Sequence, residues 1–197
     1  MAAMPRLRLP DDVSVELPEG EPVGAGLPKG TVAARVDGML RDLAFVPAAE
    51  AEVEAITLAS DDGLHILRHS AAHVLAQAVC DLHPGASYAI GPAIEDGFYY
   101  DFDLPEAIGK ADLAKIDRRM RQIVKANQPF VREEVSRADA LERLADQPFK
   151  AEIIEGLDGS DAEGVGGETV SLYRNGEWVD LCMGPHLPST GRLGGAF

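Results

Sequence analysis

The chain has 197 residues, of which 46% are hydrophobic and 26% charged, proportions typical of a soluble globular protein of one or two domains. Its net charge of −15 argues against a nucleic-acid binder that relies on overall charge, so contact with RNA needs a local basic patch or another domain. The sequence has no apolar run that spans a bilayer and no signal-like N-terminus, and its two cysteines do not suggest a disulfide scaffold. We therefore expect a cytoplasmic protein without a membrane partner.

Residues 1–60 are predicted to form a separate small unit rich in β-structure. The passage 18–30 is rich in Gly and Pro and favours an irregular connection. The plainer interpretation of the unit is a structural or docking appendage. Its strands are predicted at 6–10, 13–17, 31–36, 43–47 and 54–58, with a turn at 11–12.

The stretch 65–82 predicts one long helix. Apolar residues cover most of its circumference, which indicates a buried helix. Ser60, Asp61 or Asp62 can cap its first turn, and Pro84 stops it. Polar residues at every fourth position form a stripe on this helix, called here the polar stripe: His65, His69, His73 and Gln77. Because an unpartnered buried polar group is costly, the polar stripe needs partners from elsewhere in the chain.

A second helix, amphipathic in pattern, is predicted over 110–127. Residues 87–94 and 98–102 before it predict a hairpin with its turn at 95–97. The polar face of the helix carries six basic and two acidic residues, a local charge of +4. This charge is consistent with a solvated helix face or with a contact to a phosphate backbone. For the second interpretation, the candidate RNA-binding residues are Lys115, Arg118, Arg121 and Lys125.

The C-terminal part is predicted to be mostly β-structure with one short helix. Ser136 and Asp139 resemble a capping box for a helix through Ala145, and 156–167 is an acidic, glycine-rich loop. The Asn175-Gly176 dipeptide predicts a hairpin turn. The strands are predicted at 130–135, 149–154, 168–173 and 177–182.

Two pairs of residues in the sequence could bind a metal or take part in catalysis. His69 and His73 are separated by three residues on the first helix, and Cys182 and His186 have the same spacing after the last strand. Four such groups can form a tetrahedral zinc site, or a metal-free cluster of acid, base and hydrogen-bonding groups. For each pair alone, ordinary packing in the core is the plainer interpretation.

Three ordered motifs together resemble the N-terminal half of bacterial threonyl-tRNA synthetases. They are Arg68-His69-Ser70-Ala71-Ala72-His73, then Ile90-Gly91-Pro92 with Gly97-Phe98-Tyr99-Tyr100-Asp101, and Asp180-Leu181-Cys182-x-Gly184-Pro185-His186. The resemblance implies an α+β fold with two domains. Residues 1–60 would be a small β-grasp-like, ubiquitin-like (TGS) domain, and 61–197 a two-layer α/β editing domain with a central buried helix.

The same resemblance implies a proofreading function. The editing domain of that family hydrolyses serine mistakenly attached to threonine tRNA, so the implied partners are seryl-tRNA(Thr) and the synthetase catalytic core. That class II core, with its ATP and zinc sites, is not in this chain, and we expect no aminoacylation from it. The alternatives are a freestanding zinc-dependent trans-editing hydrolase of the alanyl type and a non-catalytic tRNA-docking module.

By resemblance, each site residue receives a role. His69, His73, Cys182 and His186 form the catalytic core, and Lys150 orients or activates water together with His69. Asp180 holds the α-amino group of the substrate, and Gly91 and Tyr100 form the wall against the seryl group. No cofactor is expected for editing; if zinc binds, its ligands are His69, His73, Cys182 and His186. Two departures from the family are Met183, where arginine is usual, and the passage 18–30, where a helix is usual.

Overall fold

The computed structural model describes residues 5–9, 13–156 and 168–194. The chain divides into two compact units. One comprises the chain to Leu67 together with Gly184–Pro188, and the other comprises Arg68–Met183 with the chain from Ser189 onward. Since the division falls within a helix, the predicted domain boundary at residue 60 stays a prediction. Among the described residues, no helix has the length and apolar character to cross a membrane.

The N-terminal unit is built on a five-stranded sheet with the order β2-β1-β5-β3-β4. β1 runs parallel to β5, and the other neighbours are antiparallel. Leu7, Val36 and Val53 are among the buried apolar residues of its core. The strands are β1 Arg6–Leu9, β2 Val13–Glu16, β3 Thr31–Val36, β4 Met39–Arg41 and β5 Ala51–Thr57, with one 3-10 turn at Val23–Gly26.

Four of the five strands predicted in this unit are confirmed, and the strand at 43–47 is wrong. The carbonyls of Leu43 and Phe45 accept hydrogen bonds from the 3-10 turn, at 3.0 and 2.7 Å, instead of joining a ladder. The missed strand β4 forms a hairpin with β3 across Asp37-Gly38, both at positive φ. The predicted turn at 11–12 lies outside the described residues.

The C-terminal unit combines four helices with one three-stranded sheet and two short strand pairs. The antiparallel sheet has the order β10-β11-β12, and the short pairs are β6 with β9 and β7 with β8. Its elements are α1 Asp61–Leu82, β6 Ser87–Tyr88, β7 Ala93–Ile94, β8 Gly97–Phe98, β9 Phe102–Asp103, α2 Lys110–Ala126, β10 Val131–Ser136, α3 Arg137–Arg143, α4 Pro148–Glu155, β11 Thr169–Asn175 and β12 Trp178–Leu181, with a 3-10 turn at Thr190–Leu193. A mixed α+β architecture is therefore confirmed.

Helix α1 starts and stops where its sequence predicts. The Ser60 hydroxyl accepts the N–H of Gly63 at 3.1 Å, so Ser60 supplies the cap, and the helix ends two residues before Pro84. Its middle, from residue 70 to 79, is buried apart from Leu75, which is half-buried. The central buried helix of the prediction is thus present.

The predicted strand at 149–154 is wrong, because this segment is helix α4. Pro148 occupies the first helical position, which it favours, and Gly156 closes the helix in the left-handed conformation. A short apolar run does not distinguish a strand from a buried helix segment, and the flanking Pro and Gly decide here. The change matters because it places Lys150 on a helix face with Ile153 and Ile154, all three buried. The predicted loop beyond Gly156 lies outside the described residues.

The two predicted hairpins of this unit form with modified pairing. In β11 and β12 Asn175 pairs with Trp178, so the two-residue turn is Gly176-Glu177, one residue later than predicted. The hairpin from β6 to β9 contains the strand pairs β6–β9 and β7–β8, and backbone hydrogen bonds of Ala89, Ile90 and Pro92 connect its two arms between them. Its ladder is interrupted around Gly91-Pro92, where Pro has no N–H to donate.

Candidate active site

A buried ion pair lies at the centre of the C-terminal unit. Lys150 Nζ on α4 lies 2.9 Å from Asp180 Oδ1 on β12, and the two side chains are only 1% and 2% exposed. Tyr100 donates its hydroxyl to Asp180 Oδ2 at 2.5 Å. Burial raises the pKa of the Asp180 carboxyl, and the Lys150 ammonium and the Tyr100 hydroxyl act in the opposite direction. These three predicted site residues are thus in direct contact.

Gly91 permits the approach of Tyr100 to this ion pair. A Cβ at position 91 would lie 2.1 Å from Cδ2 of the Tyr100 ring and 2.5 Å from its Cε2. No other residue type fits without moving the ring. The chain places the two predicted wall residues, Gly91 and Tyr100, against each other.

His73 of the polar stripe faces the same carboxylate. Its Nε2 lies 3.5 Å from Asp180 Oδ2, and the side chain is 2% exposed. Burial holds the pKa of His73 well below its usual value, and the neighbouring His69 and Lys150 lower it further. His73 is therefore a neutral imidazole at neutral pH. Such a group can accept a proton or bind a metal through a ring nitrogen.

His69 and Cys182 complete a cluster beside His73. The Cys182 Sγ lies 3.3 Å from His69 Nε2, and the ligand atoms of these three residues all lie within 4.8 Å of one another. Ser171 holds the backbone of Cys182 by two hydrogen bonds. The Ser171 carbonyl accepts the N–H of Cys182 at 3.1 Å, and the Ser171 hydroxyl donates to the Cys182 carbonyl at 2.6 Å. This set of two imidazoles and one thiol could bind a metal ion.

His186 is the remaining residue of the predicted catalytic core. It is 1% exposed and belongs to the segment Gly184–Pro188 of the N-terminal unit, where its backbone N–H donates to Asp42 Oδ1 at 2.9 Å. Its role as the fourth residue of the set stays a prediction. Met183, before this segment, is 52% exposed.

The sequence did not indicate three residues that surround this cluster. Asn175, interpreted as a turn residue, is buried and donates to Gln77 Oε1 of the polar stripe at 2.8 Å. The Trp178 ring packs edge-on against His73, with centroids 5.2 Å apart, and the Tyr88 ring lies 5.3 Å from that of Trp178. The spacing of Trp178 and Asp180 was the available signal, because residues i and i+2 of a strand point to the same face.

The basic residues of α2 lie on its exposed side. Ile116, Met120 and Ile123 form the buried side of the helix. Two of the four candidates make ion pairs within the helix: Lys115 with Asp112 at 2.8 Å and Arg121 with Asp117 at 3.0 Å. All four candidate RNA-binding residues are exposed, and they are called here the basic face: Lys115, Arg118, Arg121 and Lys125.

Comparison with known proteins identifies relatives of the whole chain and a family match at its C-terminal end. Residues 170–197, which include Asp180, Cys182 and His186, match the family "Threonyl and Alanyl tRNA synthetase second additional domain". The threonine–tRNA ligase of Acidithiobacillus ferrooxidans is 45% identical over 201 residues, covering 97% of this chain and 30% of the relative.

Two further threonine–tRNA ligases give the same result. That of Rhodospirillum rubrum is 47% identical over 179 residues, covering 90% of this chain and 27% of the relative. That of Rubrobacter xylanophilus is 41% identical over 198 residues, covering 97% and 30%. The chain thus spans less than a third of the length of these relatives. As its motifs predict, the chain is similar over nearly its whole length to threonine–tRNA ligases, which are aminoacyl-tRNA synthetases.

Proposed function

We propose that this chain is the editing portion of a cytoplasmic threonyl-tRNA synthetase and hydrolyses the ester of seryl-tRNA(Thr). The observation that carries the proposal is the buried contact of Lys150, Asp180 and Tyr100 beside the neutral imidazole of His73. The similarity to threonine–tRNA ligases supports the same function. A TGS-like β-grasp identity for the N-terminal unit belongs to this proposal.

Hydrolysis of an aminoacyl ester needs a positioned water, a proton acceptor and donors for the developing oxyanion. Water adds to the carbonyl carbon, the bond from this carbon to the ribose oxygen breaks, and the proton from water passes to that oxygen, which leaves as a hydroxyl. We assign the orientation of water to Lys150 together with His69. Burial keeps the imidazole of His73 neutral, so a ring nitrogen is free of a second proton, and we assign it the role of proton acceptor.

Asp180 is assigned to the substrate's α-amino group. Its carboxylate already contacts Lys150 and Tyr100, but two carboxylate oxygens offer about four lone-pair positions. A substrate ammonium can therefore join the existing contacts. Its positive charge would be matched by a carboxylate that the protein has already removed from water, which strengthens the attraction.

Selectivity for serine follows from size at the wall of Gly91 and Tyr100. Threonine carries one more methyl than serine, and one methyl in a binding pocket discriminates by only about 1–3 kcal/mol. A second site that excludes the larger residue multiplies this discrimination, which is the double-sieve principle. The tRNA itself would contact the basic face of α2, where the chain concentrates positive charge despite its net −15.

A zinc-dependent hydrolase is the second candidate, because His69, His73 and Cys182 offer two nitrogens and a sulfur within 4.8 Å of one another. The donor set fits zinc, whose tetrahedral sites use these atom types, and His186 is the predicted fourth ligand. When bound, zinc would supply a Lewis acid and a water of lowered pKa. The other residues would keep their roles in holding the seryl group.

The decisive experiment measures deacylation of seryl- and threonyl-tRNA(Thr) by the purified chain, with and without a chelator. Chelator-resistant hydrolysis of the seryl ester alone is expected. His73→Ala should reduce its rate by about 100-fold or more, whereas His65→Ala, at an exposed histidine of the same helix, should not. Loss of activity with chelator would favour the zinc enzyme, and tight tRNA binding without hydrolysis would favour a docking module.

A further inference from the structure

The ring of Tyr88 lies directly under the catalytic ammonium group. Lys150 Nζ is 5.8 Å from the centroid of this ring, within the range of a cation–π interaction. The Tyr88 ring also packs against that of Tyr100, which holds the other side of Asp180, with centroids 6.2 Å apart. Tyr88 therefore contacts both groups that flank the Asp180 carboxylate.

Tyr88 is itself fixed from several directions. Its hydroxyl donates to the carbonyl of Val179 at 2.6 Å, and its backbone N–H donates to Gln147 Oε1 at 3.1 Å. Burial raises the pKa of the Tyr88 phenol, so the hydroxyl stays protonated and continues to donate. The side chain is only 4% exposed. A ring held this firmly can define the position of a group packed on its face.

A cavity of about 330 Å³ lies beside this ring. Tyr88 and Trp178 form part of its lining, whereas Lys150 and Asp180 do not. The lining also carries charged and polar side chains, from His83, Arg143, Asp146, Gln147 and Glu177. Such a polar cavity is suited to hold water, and Tyr88 both lines it and faces the Lys150 ammonium.

We propose that Tyr88 is a positioning residue for Lys150, whose ring supports the ammonium on its face and shields the Lys150–Asp180 pair from the neighbouring cavity. Only its effect on deacylation rests on the proposed function; the shielding of Lys150 does not. Water that reached the pair would weaken the attraction between the two charges and leave Lys150 free to take other positions.

The shielding is tested by chemical labelling of lysine amines with acetic anhydride, read out peptide by peptide by mass spectrometry. Tyr88→Leu removes the ring, and Lys150 should become labelled about tenfold faster or more, because labelling requires access to the amine. Tyr88→Phe keeps the ring and should label at the wild-type rate. The exposed lysines 29, 110, 115 and 125 serve as references within each molecule.

Two controls make this measurement decisive. Phe45→Leu removes a ring under another cation, Arg41, in the N-terminal unit and should leave Lys150 protected. Tyr88→Met has an unbranched, flexible side chain that adapts to the space left by the ring. It replaces the Leu variant if the fluorescence of Trp178, the single tryptophan, shows that the Leu variant is unfolded. Wild-type labelling of Lys150 in a folded ring-less variant would overturn the proposal.

Deacylation of seryl-tRNA(Thr) supplies the second readout. A displaced Lys150 should lower kcat of Tyr88→Leu by about 10- to 100-fold, with KM within about twofold, because the ring touches no substrate. Tyr88→Phe should restore most of the rate. An unchanged kcat in the ring-less variant would contradict the positioning role. If the wild-type chain hydrolyses no seryl ester, the proposed function fails, and the labelling result alone decides on Tyr88.

Discussion

Helices α1 and α2 use their polar residues in opposite ways. On α1, His73 and Gln77 are buried, and each meets a side chain from another element: Asp180 for His73 and Asn175 for Gln77. On α2, the cations of the basic face are exposed, and the two that are paired are paired within the helix. The buried polar groups of α1 depend on the tertiary structure, whereas the cations of the basic face lie at the exposed surface of α2, whose Arg119 is paired with Asp81 of α1 at 2.8 Å.

This difference has energetic consequences. An exposed ion pair such as Arg121–Asp117 contributes little to the free energy of unfolding, because water solvates the two separated charges almost as well as they stabilise each other. Removing one partner of a buried pair such as Lys150–Asp180 leaves a charge without water or counter-ion, at a cost of about 3–5 kcal/mol. Substitutions in the two regions should therefore differ greatly in their effects on stability.

The largest effect is expected for Lys150→Met. It leaves Asp180 buried without its counter-charge, and the free energy of unfolding should fall by about 3–5 kcal/mol. Denaturant unfolding followed by Trp178 fluorescence measures this change. Arg121→Met, which breaks the exposed pair on α2, is the matched control and should leave the free energy of unfolding nearly unchanged.

The double variant Lys150→Met with Asp180→Asn separates stability from chemistry. It removes both charges and keeps an acceptor for the Tyr100 hydroxyl, so most of the lost stability should return. Deacylation should remain absent, because the group assigned to water is missing. A double variant as unstable as Lys150→Met would show that the buried charge is not the source of the cost.

The same contrast explains which elements could be predicted from sequence. Helix α2 has an amphipathic period, and the structure ends it at Ala126, one residue short of the prediction, because local signals decide it. The apolar runs 43–47 and 149–154 have no such period, and only the flanking Pro148 and Gly156 mark the second as a helix. The first binds the backbone of a 3-10 turn, and the second is an apolar run that fits a helix as well as a strand.

The site was predictable in its residue types but not in its geometry. The spacing of His69 and His73 places them on one side of a helix, and the need for buried partners follows from elementary energetics. Their partners depend on the register of β11 with β12 and on the position of α4. Both are determined by the tertiary structure and not by local sequence. The assignment of Lys150 came from family resemblance, and Tyr88 had no signal in the sequence.

An effect of intermediate size on stability is expected from His73, as a pH dependence of the free energy of unfolding. The unfolded chain takes up a proton on this imidazole as the pH falls through about 6.5, whereas the folded chain, in which its pKa is lowered, does not. The contribution of a neutral His73 to the free energy of unfolding should therefore be complete above pH 6.5. It should decline as the pH falls to 5, by up to about 1.4 kcal/mol per pH unit. Asp180, whose pKa is raised, changes the stability in the opposite direction. Its contribution to the free energy of unfolding is lost as the pH rises above the ordinary pKa of a carboxyl group.

Because these two contributions oppose each other, the measurement is a difference between variants. Urea unfolding at pH 7.5, 6 and 5 should show a shallower decline for His73→Gln than for the wild-type chain. His65→Gln, at an exposed position of the same helix, should retain the wild-type slope. Equal slopes in all three proteins would contradict a buried, neutral His73.

Substitutions on the basic face of α2 should have the smallest effect on stability but a clear effect on the affinity for tRNA. Arg118→Glu with Arg121→Glu should leave the free energy of unfolding nearly unchanged, because both side chains are exposed. Affinity for tRNA should fall, and the slope of log affinity against log salt concentration should shrink by about 2, one for each lost phosphate contact.

The control for this prediction is Arg6→Glu with Arg8→Glu in the N-terminal unit. This pair makes the same change in net charge at two residues that are also exposed, each of which forms an ion pair. If tRNA binding depends on the basic face, the control should keep the wild-type salt slope in a titration by filter binding. Equal losses in both double variants would mean that net charge, rather than α2, governs binding. The exposed charges of α2 would then be a solvated surface, and the contrast with α1 would be one of burial alone.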